Sequence, residues 1–510
     1  MAIDSKRIAK NTIFLYARLI LVFAVTLYTS RVVLDKLGVE DYSLYNVVIS
    51  VIGLLSFLNG TLSSGTSRFI TFELGKNNEE KLKKTFGTAL FTHILLAGIV
   101  VLLGETLGLW YFFDIMVCPP ERLGAAFWVY QFSVVTAVLS ILQVPYTAEI
   151  MAHEEMNIYA YIGIYEAVAK LLIVYLLFIA PWDKLVVYGF LMMLVPITVF
   201  GFYVFYSHKL FVEVKFRPSY DKSIFWAILK FSGWNIIANI SNMLMSQGVI
   251  MLLNAFFAPV VVAAQAVTNQ VSNALMQFVE NVRQAVNPQV IKLYADKKYD
   301  ESKQLTFISA EYVFDLLLLM GVPLILIMPN LLNVWLVEVP QYTVEFIRLI
   351  LIQDILGNFS AAFYTPMVAA NKIQKNSIAA AFLCVAQFGM LCLLFKLGFS
   401  PIWTRYIGIL FCCIWSFVVK PYILWKDVEY KWDEMSVCVL RCVRNAVIVS
   451  ALSYAVYLII PQTNFGYSIL VAGLSAIAVI MTTYIFMSQS MKKKILTLVA
   501  QRIQFINKNK

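Results

Sequence analysis

The sequence predicts an all-α polytopic membrane protein with about fourteen transmembrane helices. Three observations support this prediction. Of the 510 residues, 60% are hydrophobic and only 14% are charged, which is far more apolar than an ordinary globular protein. Apolar stretches long enough to cross a bilayer follow one another nearly end to end. The six predicted spans after Gly233 also repeat the six after Thr12.

The predicted spans follow from helix length and from the chemistry of lipid. A hydrocarbon core of about 30 Å needs about 20 helical residues, and only a helix or a closed barrel satisfies the backbone there. The helical period and the lengths of the apolar runs favour helices. The predicted spans are residues 12–33, 42–62, 86–111, 124–145, 158–180, 184–206, 233–256, 260–282, 304–328, 343–366, 377–397, 402–424, 443–460 and 467–487.

Lysine and arginine set the orientation, because cytoplasmic loops retain them. With a cytoplasmic N-terminus, the outside segments carry mainly Lys36, Arg122 and Lys184. The inside loop from Ala148 to Asn157 is an exception, since it holds no lysine or arginine. Both termini are therefore predicted to be cytoplasmic. The inside clusters are Lys76, Lys81, Lys83 and Lys84; Lys209, Lys215, Arg217 and Lys222; Lys292, Lys297, Lys298 and Lys303; and Lys492, Lys493 and Lys494.

An internal repeat sets the predicted domain organisation. The segment 79–86 parallels the segment 300–307, with Phe86 matching Phe307. Because each copy has an even number of spans, both share one orientation, and a substrate site is expected between them. The predicted domains are an N-terminal six-helix lobe at 1–207, a cytoplasmic linker with an interfacial helix at 208–232, a C-terminal six-helix lobe at 233–427, and two additional helices with a basic cytoplasmic tail at 428–510.

Composition and loop length argue against several classes of function. The net charge of +10 comes from short basic clusters between apolar runs, where they act as topology signals and meet anionic membrane lipids, so nucleic-acid binding is not expected. The seven cysteines form no CxxC pair, and His93, His153 and His208 are scattered. We therefore expect neither a metal site nor a disulfide framework. The loops leave no room for a catalytic domain, so an enzyme is not expected.

Charged residues inside the spans are the best pointers to a site, because an ionised side chain at the bilayer centre costs about 2.5–3.5 kcal/mol on insertion scales. Arg18 has no acidic neighbour one turn away and is predicted to face a cavity. Glu166 and Lys170 have the spacing of a self-neutralising pair within one helix. Arg68 and Arg283 also fit positive-inside anchors at span ends. The other charges in the spans include Arg31, Glu311, Asp315, Arg348 and Asp354.

Two helices carry stripes of polar, mainly amide, side chains. In the seventh span they are Asn235, Asn239, Asn242 and Ser246, and in the eighth they are Gln265, Asn269, Asn273 and Gln277. This spacing gives each helix one polar face. Such amides either hold helices together, at about 0.6 kcal/mol per contact in membranes, or line a wet cavity that accepts sugar hydroxyls. The sequence leaves both interpretations open.

Four motifs stand out near the N-terminus. They are Lys10-Asn11-Thr12 ahead of Arg18, Tyr28-Thr29-Ser30-Arg31, Leu37-Gly38-Val39-Glu40-Asp41-Tyr42 and Ser63-Ser64-Gly65-Thr66-Ser67-Arg68-Phe69. Together they resemble the opening of Wzx-type polysaccharide flippases, which belong to the same superfamily as multidrug and toxin extrusion (MATE) antiporters and lipid II flippases. The motifs cover the first 90 residues, and the rest is similar mainly in span count, repeat and loop length. Tyr42-Ser43 replaces the usual tyrosine-glycine.

The resemblance implies a V-shaped arrangement of the two six-helix lobes, with a central cavity that opens alternately to either side of the bacterial cytoplasmic (inner) membrane. The implied cargo is a polyprenyl diphosphate-linked oligosaccharide, the repeat unit of an O-antigen, capsule or exopolysaccharide. No cofactor is implied beyond a coupling H⁺ or Na⁺. A polysaccharide polymerase and chain-length machinery would be protein partners.

The diphosphate of this cargo is anionic and its glycan is strongly hydrated. Cationic side chains for the charge and amides for the hydroxyls would lower the barrier to crossing the membrane, while the polyprenyl tail stays in lipid. The candidate contacts to the diphosphate, or to an anionic glycan, are Arg18, Arg31, Arg68, Lys170 and Arg283. The candidate sugar-facing groups are Asn235, Asn239, Asn242, Gln265 and Asn269. The candidate ion-coupling groups are Glu166, Asp315 and Asp354.

A MATE-type ion-coupled antiporter of drugs or other small molecules is the main alternative. Cationic cargo would call for unpaired carboxylates, yet the first four spans offer Arg18, Arg31 and Arg68 against only Glu105. A polymerase or ligase is the second alternative, but the outside segment at 114–124 is too short for the catalytic loop of such enzymes. We expect Arg18→Ala to reduce glycan export sharply while membrane insertion is unchanged.

Overall fold

A computed structural model describes residues 5–55, 57–75, 78–153, 155–214, 220–370, 372–461 and 463–486. Within these ranges the description excludes the side chains of residues 5–21, 23, 57–61, 63–64, 75, 156, 231–238, 281, 284–285 and 288. The basic tail with Lys492, Lys493 and Lys494 lies outside the described residues, as do residues 215–219 of the linker. The described residues form helices and no β-strand, which confirms the predicted fold class.

The helices of the first half of the chain are α1 (Ser5–Leu55), α2 (Phe57–Gly75), α3 (Glu79–Leu103), α4 (Leu109–Asp114), α5 (Leu123–Ala152), α6 (Met156–Ile179), α7 (Lys184–Leu210), α8 (Lys222–Met243) and α9 (Val249–Phe256). A π-helical turn at Gly104–Gly108 joins α3 to α4, and another at Leu244–Gly248 joins α8 to α9. A short 3₁₀ turn, Pro120–Arg122, precedes α5.

The helices of the second half are α10 (Pro259–Ala295), α11 (Tyr299–Trp335), α12 (Thr343–Ala361), α13 (Tyr364–Ala369), α14 (Gln374–Lys396), α15 (Trp403–Cys413), α16 (Lys420–Val428), α17 (Trp432–Ile459) and α18 (Phe465–Phe486). A π-helical turn at Ile414–Val419 joins α15 to α16.

The helix boundaries follow the repeat expected from the sequence. Both α3 and α11 carry two acidic residues in the first turn, which favour a helix N-terminus. In α3 the Asn78 side chain also accepts a hydrogen bond from the Lys81 amide at 3.0 Å. Three pairs of helices begin at nearly the same place in the two copies: α3 at Glu79 and α11 at Tyr299, α5 at Leu123 and α12 at Thr343, and α7 at Lys184 and α15 at Trp403.

Eleven of the described helical stretches are long and apolar enough to cross a membrane. One of them, Ala24–Leu55, contains parts of the first two predicted spans, and the seventh and eighth predicted spans are not among the eleven. Those two spans carry the polar stripes, whose amides lower the hydropathy. The chain is therefore a multi-pass membrane protein, and the count of fourteen spans stays a prediction.

One glycine explains the first bend of the chain. Gly38 interrupts α1 with φ 77° and ψ 171°, a conformation that essentially only glycine adopts without strain. The bend brings the next turn toward the start of α5, where Arg122 contacts Asp41 at 2.5 Å and Asp183 at 2.5 Å. The Leu-Gly motif thus has a structural role, because it sets this bend and supplies one carboxylate of the bridge.

The linker differs in detail from the expectation. Asp221 caps α8, accepting hydrogen bonds from the amides of Ser223 at 2.8 Å and Ile224 at 3.1 Å. From there the helix continues through its π turn to Phe256. The interfacial helix expected at the end of the linker is therefore the first part of a longer helix, because no proline or left-handed residue separates it from the following apolar run.

Contacts divide the helices into two compact units. The first unit comprises Met1–Gln270, Leu336–Thr343 and Gln374–Ile407, and the second comprises Val271–Trp335, Val344–Ile373 and Gly408–Lys510. Within the first unit α5 packs against α3 and α7, α1 against α6, and α2 against α8. Within the second unit α11 packs against α17 and α18. The lobe boundaries expected from the sequence stay a prediction.

Candidate functional site

The first unit contains a cavity of about 370 Å³ between α1, α5, α6 and α7. Glu166 and Lys170 lie in its wall and form the ion pair expected from their spacing, with Lys170 Nζ 2.7 Å from Glu166 Oε1. Each side chain is 40% exposed, so the pair remains accessible from the cavity. Four polar side chains of α5 line the same space: Ser133, Thr136, Ser140 and Gln143.

A buried hydrogen-bond chain involves two of the predicted sugar-facing amides. Gln265 on α10 is 4% exposed, and its Oε1 accepts from Arg405 Nη2 on α15 at 2.5 Å. Its Nε2 donates to Asn269 Oδ1 at 2.7 Å. Both ends of the Gln265 amide are therefore bonded inside the first unit, so in this conformation it acts as a contact between helices.

The second unit surrounds Arg283 with polar partners. Arg283 Nη1 lies 2.5 Å from Glu280 Oε1 on the same helix, and Nη2 donates to Asn358 Oδ1 on α12. The Arg283 side chain is 12% exposed, whereas that of Glu280 is 54% exposed. The guanidinium is therefore largely buried, and its acidic partner lies at the edge.

Lys420, the first residue of α16, is a second buried cation in this unit. It is only 4% exposed, and no carboxylate among the described residues pairs with it. Its Nζ lies 5.7 Å from the centroid of the Tyr364 ring and 5.4 Å from that of Trp415. The positive charge of Arg283 also acts on it. We refer to Arg283 and Lys420 as the cation pair.

An isolated buried cation is costly in a low-dielectric interior unless an anion compensates it. In the cation pair only Arg283 has a carboxylate partner within the described structure, and that partner is mostly exposed. The cation pair therefore has the charge to bind an anionic group, and Asn358 next to it provides an amide for hydrogen bonding.

The predicted ion-coupling residue Asp354 lies one turn before Asn358 on α12. Its Oδ2 accepts from Ser272 Oγ on α10 at 2.7 Å, and its backbone oxygen accepts from Asn358 Nδ2 at 3.1 Å. Asp354 is thus linked through Asn358 to Arg283. This link runs through the backbone oxygen of Asp354, and the carboxylate itself bonds Ser272.

The predicted ion-coupling residue Asp315 lies in another cavity of the second unit. This cavity, of about 890 Å³, is lined by α11, α17 and α18. Asp315 is 8% exposed, and both its oxygens accept from Asn445 Nδ2, at 3.1 and 3.3 Å. One turn away Glu311 forms an ion pair with Arg441 at 3.2 Å. The carboxylate of Asp315 is thus buried beside a polar cavity.

The remaining predicted residues lie on helices of the first unit. Arg31 on α1 and Arg68 on α2 are exposed, Asn239 on α8 is half-buried, and Asn242 on α8 is exposed. The two predicted residues whose side chains lie outside the description are Arg18 and Asn235. The transport roles of all these residues stay predictions.

Two buried cations, Lys420 and Arg405, were missing from the sequence-based candidates. The sequence carried a signal for both, since they lie within the predicted span 402–424. A charged residue inside a span is a candidate in its own right, and the same criterion selected Lys170. The proximity of Lys420 to Arg283, far earlier in the chain, has no signal in the local sequence.

Comparisons with known proteins bear on the fold. No protein-family model matches this sequence, and no curated protein matches it significantly. Among solved structures, an inward-facing multidrug resistance MATE family transporter of the MOP superfamily aligns with a TM-score of 0.65 at 14% identity, covering 79% of this chain and 95% of its own. The lipid II flippase MurJ, in an inward closed conformation, aligns with a TM-score of 0.67 at 14% identity, covering 94% and 98%.

A third structure carries a related fold with different pocket chemistry. A MOP superfamily transporter from Pyrococcus furiosus, described as having a binding pocket of reverse polarity that suggests a different function, aligns with a TM-score of 0.54 at 13% identity, covering 82% of this chain and 96% of its own. At such identities the likeness concerns the fold alone. This chain has the fold of MOP-superfamily transporters such as MATE proteins and the flippase MurJ.

Proposed function

We propose that the protein is a flippase that moves polyprenyl diphosphate-linked oligosaccharide repeat units from the cytoplasmic to the outer leaflet of the bacterial inner membrane by alternating access. The fold shared with MATE transporters and MurJ supports transport, and the N-terminal motifs favour the Wzx-type branch. The units would belong to an O-antigen, a capsule or an exopolysaccharide.

The cation pair is the observation that supports an anionic cargo most strongly. Lys420 is buried without a carboxylate partner among the described residues, beside the largely buried guanidinium of Arg283. A diphosphate would compensate both charges, through Coulomb attraction and charge-assisted hydrogen bonds. In the orientation expected from the basic loops, Lys420 lies near the cytoplasmic end of its span, so the cation pair would receive cargo from the cytoplasm.

The rest of the cargo calls for different chemistry. The hydrated glycan needs hydroxyl and amide partners, and in the first unit Ser133, Thr136, Ser140 and Gln143 line a cavity that offers them. The polyprenyl tail stays in lipid throughout, so no cavity need enclose it. No covalent step is involved, and the protein lowers the barrier by replacing water around the charged and polar groups.

The driving ion would act on carboxylates. Asp315 beside its cavity, Asp354 linked to Arg283 through Asn358, and Glu166 paired with Lys170 are the candidates for binding H⁺ or Na⁺. Protonation of Asp354 would change the hydrogen bond between its carboxylate and Ser272 Oγ, whereas the hydrogen bond from Asn358 to its backbone oxygen would remain.

An ion-coupled antiporter of drugs or other small molecules is the second candidate. The observation that favours it is the buried carboxylate of Asp315 beside a cavity of about 890 Å³, which suits a cation. Against it stands the cation pair, which would repel cationic cargo.

The test is export of surface glycan in a bacterial strain that lacks its own flippase and carries this gene. Wild-type protein is expected to restore surface glycan, Lys420→Met to restore less than a tenth of it, and Lys420→Arg to retain part of it because the charge remains. The matched control is Lys426→Met, which removes an exposed lysine on the same helix.

The same variants separate the two candidate functions. In a host deficient in drug pumps, the flippase proposal predicts no gain of drug resistance from the wild-type protein. Resistance to cationic drugs that depends on Asp315, without any restoration of surface glycan, would establish the antiporter instead.

A further inference from the structure

The ends of α5 and α7 bring together three side chains that are distant in sequence. His153, which follows α5, has its Nε2 2.8 Å from Glu213 Oε1 in the turn after α7 and 3.5 Å from Glu149 Oε1 one helical turn earlier. One donor atom from each of the three lies within 4.8 Å of the others. Phe211 stacks on the imidazole at 4.1 Å between ring centroids and an angle of 15°, which fixes the plane of the ring.

Glu149 is the unusual member of this cluster. Its side chain is fully buried, and neither carboxylate oxygen accepts a hydrogen bond from any described residue. A buried carboxylate without hydrogen bonds is costly, so such groups normally carry a partner. Glu149 points at the nitrogen of His153, but at 3.5 Å that contact is too long for a hydrogen bond. Glu149 thus presents to the cluster a buried carboxyl group with no hydrogen-bond partner among the described residues.

A divalent cation fits this donor set. Zinc takes one imidazole nitrogen and carboxylate oxygens at about 2.0–2.2 Å, which puts tetrahedral ligands about 3.3–3.5 Å apart. The separation of 3.5 Å between His153 Nε2 and Glu149 Oε1 already matches, and Glu213 would need to move by about 0.5 Å. Three protein ligands leave one position for water, and His153 at 26% exposure provides the entry path.

The charge of the surrounding loop supports the same conclusion. The inside loop Ala148–Asn157 holds three glutamates and no lysine or arginine, which made it the exception among the cytoplasmic segments. A bound dication would supply the positive charge that the residues of this loop do not. The three histidines appear scattered in sequence, and for that reason no metal site was expected. The fold instead brings His153 into contact with Glu213, which lies 60 residues later in the sequence.

We propose that Glu149, His153 and Glu213 form a binding site for one divalent transition-metal ion of the zinc class. The ion would tie the end of α5 to the turn that follows α7, two helices that pack against each other in the first unit. It would thereby hold this end of the helix pair closed. The proposal does not depend on what the protein transports.

The test uses the full-length protein in detergent, stripped with EDTA, desalted, and titrated with Zn²⁺ alone against a chromophoric chelator. Wild-type protein is expected to bind one Zn²⁺ per chain. Glu149→Gln and Glu213→Gln are each expected to weaken binding by more than about tenfold, since even second-shell losses cost about 10–100-fold. The matched control is His208→Ala, which removes an exposed histidine of α7 outside the cluster.

A second measurement guards against misfolded variants. Zn²⁺ is expected to raise the apparent Tm of wild-type protein and of His208→Ala, and to leave that of Glu149→Gln unchanged, with all three monodisperse by gel filtration. The proposal is overturned if wild-type protein binds Zn²⁺ no more tightly than Glu149→Gln. It is equally overturned if His208→Ala loses binding as Glu149→Gln does.

Discussion

Replacing Lys420 by methionine should make the protein more stable and less active. The effective desolvation penalty of a buried ion is several kcal/mol, and no carboxylate among the described residues offsets it for Lys420. Cation–π contacts to Tyr364 and Trp415, at 5.7 and 5.4 Å, are close to the outer limit of that interaction and return about 0.5–1 kcal/mol each. Methionine has a similar length and no charge, so we expect a net gain of about 2 kcal/mol.

The assay pairs thermal unfolding in detergent with glycan export in cells. Lys420→Met should raise the apparent Tm by at least about 2 °C and reduce export at least tenfold. Lys426→Met should change neither quantity, because that lysine is exposed. A Lys420→Met protein that is less stable than wild type would refute the reasoning, since it would mean that the lysine is already compensated in the folded protein.

Three further predictions concern the frame of the first unit. Arg122→Ala should lower the free energy of unfolding by about 1–3 kcal/mol, because the partly exposed guanidinium bridges Asp41 and Asp183. Arg122→Lys should recover only part of that stability. An unchanged Tm in Arg122→Ala would contradict this expectation. Gly38→Ala should lower the free energy of unfolding by about 1–3 kcal/mol, because alanine is strained at this positive φ. Gly98→Ala, in open space on α3, should leave the stability unchanged or raise it slightly. Equal effects of the two substitutions would contradict the assigned role of Gly38. Burial raises the pKa of Asp183, but the hydrogen bonds from Arg122 and from backbone amides lower it by more. The pKa of Asp183 therefore lies below its ordinary value of 3.8. The folded chain then binds fewer protons than the unfolded chain, and stability is lost as the pH falls through that range. This loss of stability should stay below about 1 kcal/mol because the Asp183 side chain is 36% exposed. Unfolding measured at pH 3 and pH 5 should show the loss in wild-type protein and not in Asp183→Asn.

Much of the fold could be predicted because it depends on local patterns. Apolar run length predicted most of the helices that could cross a membrane, and the parallel between segments 79–86 and 300–307 fits the matching starts of α3 and α11. The helices with amide stripes were harder, because their polar faces lower the hydropathy that identifies a span. The interfacial helix expected in the linker is the first part of α8, since a single glycine in a helix costs only about 1 kcal/mol and does not end it.

The candidate site was predicted less completely, because it depends on tertiary contacts. Spacing along one helix was enough to predict the pair Glu166 and Lys170. No local pattern could place Lys420 beside Arg283 or bring Glu213 to His153. In both cases the charged groups come near each other through packing of helices that lie far apart in the sequence.

Translocation in proteoliposomes would show whether the protein itself moves the lipid-linked glycan across a membrane. The purified protein would be reconstituted into vesicles with a polyprenyl diphosphate-linked oligosaccharide in the inner leaflet. A lectin outside the vesicles would then bind the glycan that reaches the outer leaflet. We expect lectin-accessible glycan with wild-type protein and Lys426→Met, and little above empty liposomes with Lys420→Met. Equal translocation by Lys420→Met, or none by the wild-type protein under an imposed H⁺ or Na⁺ gradient of either direction, would contradict this expectation.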